Sequence, residues 1–210
     1  MKDLAIYGAG GFGRETALHI LQINARSKKW SIKGFYDDGL RKGQVVDNLR
    51  VLGGFPDIEA HKKKIDLVIA IADPTIRKSI AEKLNNPKIS YPSIIHPSCL
   101  PGASSNRWGK GCILTAGVIL TTGIELDDFV IINLSSTVGH DVKMAQFVTI
   151  MPGCNISGNV RIGEGTMMGT GAQVLQNLRI GKGCKVGAGA VVTRSFDDNK
   201  TIIGIPAREK

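Results

Sequence analysis

The stretch from Ile156 to Met168, ISGNVRIGEGTMM, places Ile156, Ile162 and Met168 six residues apart. The spacing runs on in both directions. Leu114, Leu120, Leu126, Ile132, Val138, Met144 and Ile150 precede these three, and Val174, Ile180, Val186 and Val192 follow, with no insertion breaking the frame. A second lane two residues earlier, from Cys112, Val118, Ile124 and Val130 to Cys184 and Ala190, is mostly small or β-branched. A period of six belongs neither to an α-helix nor to a flat strand, whose side-chain periods are 3.6 and 2. It fits a chain that turns a corner every six residues, three sides making a coil of about eighteen. Every sixth side chain then points into a triangular prism, whose sides are short parallel strands stacked at about 4.8 Å. The pattern therefore predicts a left-handed parallel β-helix of hexapeptide repeats, about 4.5 coils long over 112–192. Glycine follows the ladder residue at Gly163, Gly169, Gly181 and Gly187, where the corners are expected to need unusual backbone angles.

A different grammar governs the first ninety residues. A short apolar strand at 3–7 leads into Gly8, Ala9, Gly10, Gly11, Phe12 and Gly13, then a helical pattern over 14–24. Gly8, Gly10 and Gly13 fit G-x-G-x-x-G, which lets backbone N–H groups at a helix N-terminus approach a phosphate. The same glycines could serve only to make the turn. A second strand at 32–36 ends in Asp37 and Asp38, where such folds place an acid on a ribose or base. A third at 67–72 is followed by Asp73 and Pro74, an N-cap and first-turn proline for a helix over 75–84. The expected organisation is a small Rossmann-like α/β domain at 1–92, a β-helix domain at 93–195 and a tail at 196–210. About ninety residues supply one mononucleotide-binding half, which argues against a dehydrogenase. Residues 94–98 are expected to start the second domain out of frame with the coils, and 104–110 to form a loop.

Composition excludes several classes. The formal net charge is +9, with 42% hydrophobic and 21% charged residues. Apart from Lys62, Lys63 and Lys64 the basic residues are dispersed and lack interleaved aromatics, so anionic small molecules are favoured over nucleic acid. Cys99, Cys112, Cys154 and Cys184 form no CxxC pair, and three occupy the second lane, as buried reduced thiols of a cytoplasmic protein would. No apolar run approaches the roughly 20 residues of a membrane helix, and no secretory h-region opens the chain, so membrane insertion is not expected.

The chemistry centres on His140, the one histidine within the coils. Neutral imidazole removes a proton from an attacking hydroxyl or amine at neutral pH, and an adjacent carboxylate, here Asp141, can hold its tautomer. On a straight strand neighbours point oppositely, so the two converge only if a corner allows it. Gly158 stands one eighteen-residue coil after His140, where a bare backbone N–H could meet a developing oxyanion.

The hexads, the lone histidine, the tail from Gly204 to Arg208 and the glycine turn resemble the hexapeptide-repeat acyltransferases. Together with the segment Ile132 to Asp141 they are most similar to the sialic acid O-acetyltransferase and sugar-nucleotide N-acetyltransferase family of the NeuD/PglD type. The resemblance covers nearly the whole chain. It implies a homotrimer, acetyl-CoA as donor with no metal, active sites between neighbouring β-helices, and a sugar or nucleotide-sugar held partly by the N-terminal domain. It makes His140 the general base, with Asp141 beside it and Asn133 a polar member of the site. Gly8, Gly10, Gly11, Phe12, Gly13, Asp37 and Asp38 match the nucleotide-sugar end. Gly158, Thr149, Thr170, Lys182, Lys185 and Arg208 are the candidate acetyl-CoA contacts, with Arg194 also late enough in the helix to meet its phosphates. Phe12 and Thr149 stand where some members carry histidines. The Thr149 departure favours oxygen over nitrogen as nucleophile, hence a sialic acid O-acetyltransferase-like enzyme. The alternatives are a UDP-amino-sugar N-acetyltransferase, an acetyltransferase for another small acceptor, and a non-catalytic trimeric sugar-nucleotide-binding scaffold. A hexad-repeat zinc enzyme would need three histidines where the coils carry one.

Overall fold

The computed structural model describes residues 1–210. The N-terminal unit contains β1 (Lys2–Tyr7), α1 (Gly11–Arg26), β2 (Trp30–Tyr36), β3 (Val45–Val46), β4 (Leu49–Gly53), α2 (Phe55–Glu59), β5 (Ile65–Ile69), α3 (Pro74–Lys83) and β6 (Ile89–Ser90). The sheet order is β3-β4-β2-β1-β5-β6. All pairs are parallel except the β3–β4 hairpin. Leu4, Ala5 and Ile6 in β1 are fully buried, as a central parallel strand covered on both faces requires. The hairpin and α2 lie where no element was expected. The hairpin turns on Asp47 and Asn48, both at positive φ, a tight turn built without glycine.

The glycine turn divides by cause. Gly8 has φ +100°, and a Cβ on Gly13 would overlap the Gly8 carbonyl oxygen, so α1 can start against β1 only with glycine there. Gly10 and Gly11 face open space.

The rest of the chain winds as a prism with three faces. The first face stacks Ile94–Ile95, Ile113–Leu114, Ile131–Ile132, Thr149–Ile150, Met167–Met168, Lys185–Val186 and Thr201–Ile203. The second stacks Ile119–Leu120, Thr137–Val138, Asn155–Ile156, Gln173–Val174 and Val191–Val192. The third stacks Arg107–Trp108, Glu125–Leu126, Lys143–Met144, Arg161–Ile162 and Arg179–Ile180. Within the coils each residue pairs with the one eighteen positions on, as Ile131 with Thr149 and Thr137 with Asn155. Both predicted lanes point inward and, with Cys99, Phe196, Ile202 and Ala207, form a core of 29 buried residues.

Several expectations need correction. Strand Arg107–Trp108 lies inside the segment expected as a loop, and its Trp108 packs against the prism core. Residues 94–95 do start the prism out of frame: Ile94 pairs with Ile113, nineteen positions on. The coils also outlast Ser195. Phe196 bridges to Ile180, Thr201–Ile203 joins the first face, and Arg208–Glu209 folds back antiparallel. The left-handed backbone positions are not those after the ladder residue. They lie three residues before it, every sixth residue from Gly111 to Gly189, occupied by Phe129, Ser135, Asp141, Phe147, Asn159 and Asn177 where not by glycine. Gly163, Gly169 and Gly181 are needed for a different reason: a Cβ on each would strike the backbone of the next coil.

The α/β unit docks on the first face. Ile113 and Ile131, facing outward from the prism, join the cluster that holds Leu4, Ile20 and Phe35. No helix is long and apolar enough to cross a membrane.

Candidate active site

His140 and Gly158 occupy the corner between the second and third faces, in the column Thr122, His140, Gly158, Gln176 and Arg194. Asp141 is in the left-handed region, φ 59°. That backbone turn swings its carboxylate to the same side as the imidazole, which a straight strand would forbid. His140 Nδ1 lies 2.8 Å from Asp141 Oδ2. A carboxylate only accepts, so Nδ1 carries the proton and Nε2 keeps its lone pair free. Gly158 lies over the ring: a Cβ there would overlap His140 Nε2. Its N–H donates to no other group of the chain, while Asn159 N donates to His140 O at 2.7 Å. One open base and one free donor therefore sit side by side, as acyl transfer needs. The side chains of His140 and Asp141 are each 64% exposed, so a single chain does not shield this corner from water.

The other expected contacts are dispersed over the chain. Asn133 is buried at the corner between the first and second faces, where its Oδ1 accepts from Leu134 N at 2.8 Å. Thr170 is exposed two coils further along on that edge. Lys182 sits at the corner between the third and first faces, its Nζ 3.9 Å from Asp198. Lys185 lies exposed on the first face, and the Arg208 guanidinium turns back to the Ala207 carbonyl at 2.9 Å. None of these five reaches the corner of His140 in its own chain. Arg194 does share that corner, stacked over the Phe196 ring at 5.1 Å.

Thr149 corrects the expectation most sharply. It is fully buried, with Oγ1 donating to the Ala72 carbonyl at 2.7 Å and accepting from Arg77 Nη2 at 2.9 Å. It fastens the α/β unit to the prism and touches no open site, so it carries no information about the nucleophile. Arg77, invisible as a site residue in sequence, is the other half of that contact.

The acids after β2 are already engaged. Asp37 accepts from Ala9 N at 2.8 Å and Gly39 N at 2.9 Å, bracing the glycine turn. Asp38 accepts from Tyr7 Oη and from Phe55 N at 2.5 and 2.7 Å. Burial, then the Asp38 contact, pushes the Tyr7 phenol well above its ordinary range, so it stays a donor. Both carboxylates shape the carboxyl edge of the sheet, with each of their four oxygens accepting a hydrogen bond. Beside Asp38 a pocket of about 570 Å³ is lined by Tyr7, Phe55, Thr75, Ser79 and Lys83. The first turn of α1 has neither a side-chain cap nor an acid, leaving its N–H groups free beside Gly10 and Gly11.

A prism of hexapeptide coils with one histidine at a corner, joined to a small α/β unit with a glycine turn, defines a hexapeptide-repeat acyltransferase. Residues 3–84 match the PglD N-terminal domain, and residues 159–194 match the bacterial transferase hexapeptide of six repeats. The chain is 33% identical over 146 residues to GDP-perosamine N-acetyltransferase of Escherichia coli O157:H7, a match spanning 69% of this chain and 65% of that protein. The acetyltransferase domain of PglB from Neisseria gonorrhoeae, in complex with acetyl coenzyme A, superposes with a TM-score of 0.89 at 31% identity, over 100% of this chain and 99% of that one. A histidine-to-asparagine variant of perosamine N-acetyltransferase from Caulobacter crescentus, in complex with CoA and GDP-perosamine, gives 0.90 at 27% identity, over 100% and 97%. The chain belongs to the NeuD/PglD-type family of hexapeptide-repeat sugar acetyltransferases.

Proposed function

We propose that the protein is an acetyl-CoA-dependent N-acetyltransferase whose acceptor is an amino sugar carried on a nucleoside diphosphate. The observation that carries this reading is the His140–Asp141 pair, with Nε2 open beside the free N–H of Gly158. His140 Nε2 takes a proton from the sugar amine as its nitrogen attacks the thioester carbonyl. The C–N bond forms, the C–S bond breaks, and the proton passes to the departing thiolate. Asp141 holds the tautomer and stabilises the imidazolium. The Gly158 N–H steadies the carbonyl oxygen as charge gathers on it. Relatives that acetylate perosamine nitrogen support nitrogen transfer over the sialic acid O-acetyltransferase reading, and the burial of Thr149 removes the ground for oxygen. The free N–H groups of α1 and the pocket beside Asp38 suit a diphosphate and its base.

The active unit is a ring of three copies joined through the second face. Its outward side chains are Ile119, Thr137, Asn155, Gln173 and Val191, none charged, whereas the third face presents Arg107, Glu125, Lys143, Arg161 and Arg179. Ile119 is 40% exposed and Leu100, beside it, 60%. His140 borders one edge of this uncharged face, while Asn133 and Thr170 border the other. A cyclic contact repeats one patch against another, which brings the two edges together at each interface and covers His140.

Thiol release from acetyl-CoA, followed with UDP-amino sugars, GDP-amino sugars and free sialic acids, tests the reaction. Turnover is expected with a nucleotide amino sugar, and His140→Ala is expected to lower kcat by about 10²-fold or more. Turnover confined to sialic acids would restore oxygen transfer, and full activity in His140→Ala would remove the mechanism.

A further inference from the structure

Arg77, on α3, is fully buried and makes no salt bridge. Its Nε donates to the Phe129 carbonyl at 3.1 Å. Nη1 donates to the carbonyls of Ile71 and Ala72 at 2.7 and 3.0 Å. Nη2 reaches the carbonyls of Phe147 and Val148 at 2.7 and 3.4 Å, and Thr149 Oγ1 at 2.9 Å. The five N–H donors of the guanidinium are thus all engaged, and every acceptor is neutral. Burial pushes its pKa down to about 9, opposed by the charge of Asp73, so it remains a cation at neutral pH. A buried cation held only by neutral acceptors is costly, and its fork demands that all its partners stay in place.

The partners lie on different bodies. Ile71 and Ala72 follow β5, at the carboxyl edge that carries the glycine turn. Phe129 and Phe147 stand at the third–first corner of two successive coils, both at positive φ, with their rings stacked at 5.2 Å. Phe147 closes the same coil that carries His140. One residue further along α3, Lys78 Nζ meets Glu164 of the next coil at 2.5 Å. Bulky side chains rarely adopt such φ values, and they persist only where the surroundings over-determine them.

We propose that Arg77 is a positioning residue for acetyl transfer: it locks the α/β unit to the His140 coil and so sets the height at which the nucleotide sugar is presented to the base. This rests on the reaction proposed above. In a ring of copies every His140 lies at one height, and an acceptor delivered by a neighbour's α/β unit meets it only if each unit keeps the same axial register. An error of one ångström in such delivery is worth about 10²-fold in rate.

Arg77→Lys keeps the charge and removes the fork; Thr149→Val is the milder change, removing one acceptor and the bond to Ala72. With a nucleotide amino sugar, kcat/KM is expected to fall about 10²-fold in Arg77→Lys and about tenfold in Thr149→Val. The KM for acetyl-CoA, and acetyl transfer to a free amino sugar lacking the nucleotide, should stay within twofold. Spin labels placed through Lys63→Cys and Thr193→Cys should give a narrow distance distribution in the otherwise unchanged protein and a broad one in both variants. Equal losses with the free and the nucleotide-bound sugar, or an unchanged distribution in folded variants, would overturn the positioning role. Absence of turnover with any nucleotide sugar in the wild type would instead overturn the proposed reaction, and the label distances would still decide whether Arg77 fixes the two units.

Discussion

At the scale of single residues, the corner holding His140 depends on two neighbours that work by opposite means. Asp141 reaches the ring because its own backbone is left-handed. Gly158 makes room because it has no side chain. Gly158→Ala would put a methyl group on Nε2 and push the imidazole away from the free N–H. The expected result is a fall in kcat of about 10²-fold, close to the loss of an oxyanion donor, with the thermal midpoint lowered by no more than a few degrees. An unchanged kcat would mean that the Gly158 N–H takes no part. The sequence allowed the pair His140 and Gly158 to be placed together because a fixed eighteen-residue coil converts numbering into height. It did not reveal Arg77 or Thr149, since a fully engaged guanidinium and its hydroxyl partner leave no periodicity or motif behind.

At the scale of elements, two glycine lanes do different work, and substitution separates them. Gly171 has φ +72° and nothing near its would-be Cβ, so Gly171→Ala should cost only the left-handed penalty, about 1–2 kcal/mol. Gly163 has an ordinary φ, but a Cβ there would strike the Lys182 backbone nitrogen of the next coil. Gly163→Ala should cost about 3 kcal/mol, the upper end of overpacking. Urea unfolding of the two variants reads the difference, and equal losses would contradict the assignment of the lanes. The aliphatic ladder was visible from sequence because every coil repeats one environment. Its extension to Trp108 was missed although Trp108 stands six residues before Leu114, because an aromatic does not match an aliphatic lane. The β3–β4 hairpin was missed because its strands are short and its turn lacks the glycine that usually marks one.

At the scale of the whole molecule, the prism has one face without charge, with His140 at one edge of it and Asn133 and Thr170 at the other. Thr137 Oγ1 donates to Asn155 Oδ1 at 2.7 Å and Asn155 Nδ2 to Gln173 at 2.9 Å, a flat polar ladder that a second copy can cover without burying a charge. Asn155→Arg places an unpaired charge at its centre. Light scattering is expected to show trimers for the wild type and monomers for this variant, with activity lost although His140 is untouched. A trimeric, inactive Asn155→Arg would place the interface elsewhere.

The sequence by itself determined the prism, its eighteen-residue coil and the glycine turn, because each follows from a repeat or a local backbone requirement that any neighbourhood would impose. Only the tertiary structure decided that Asp141 turns its carboxylate onto His140, that Thr149 and Arg77 bolt the two units together, and that Asp37 and Asp38 brace the strand edge from within. Those outcomes depend on which surfaces pack against which, and hydrogen bonds between residues some seventy positions apart are not written in any local pattern.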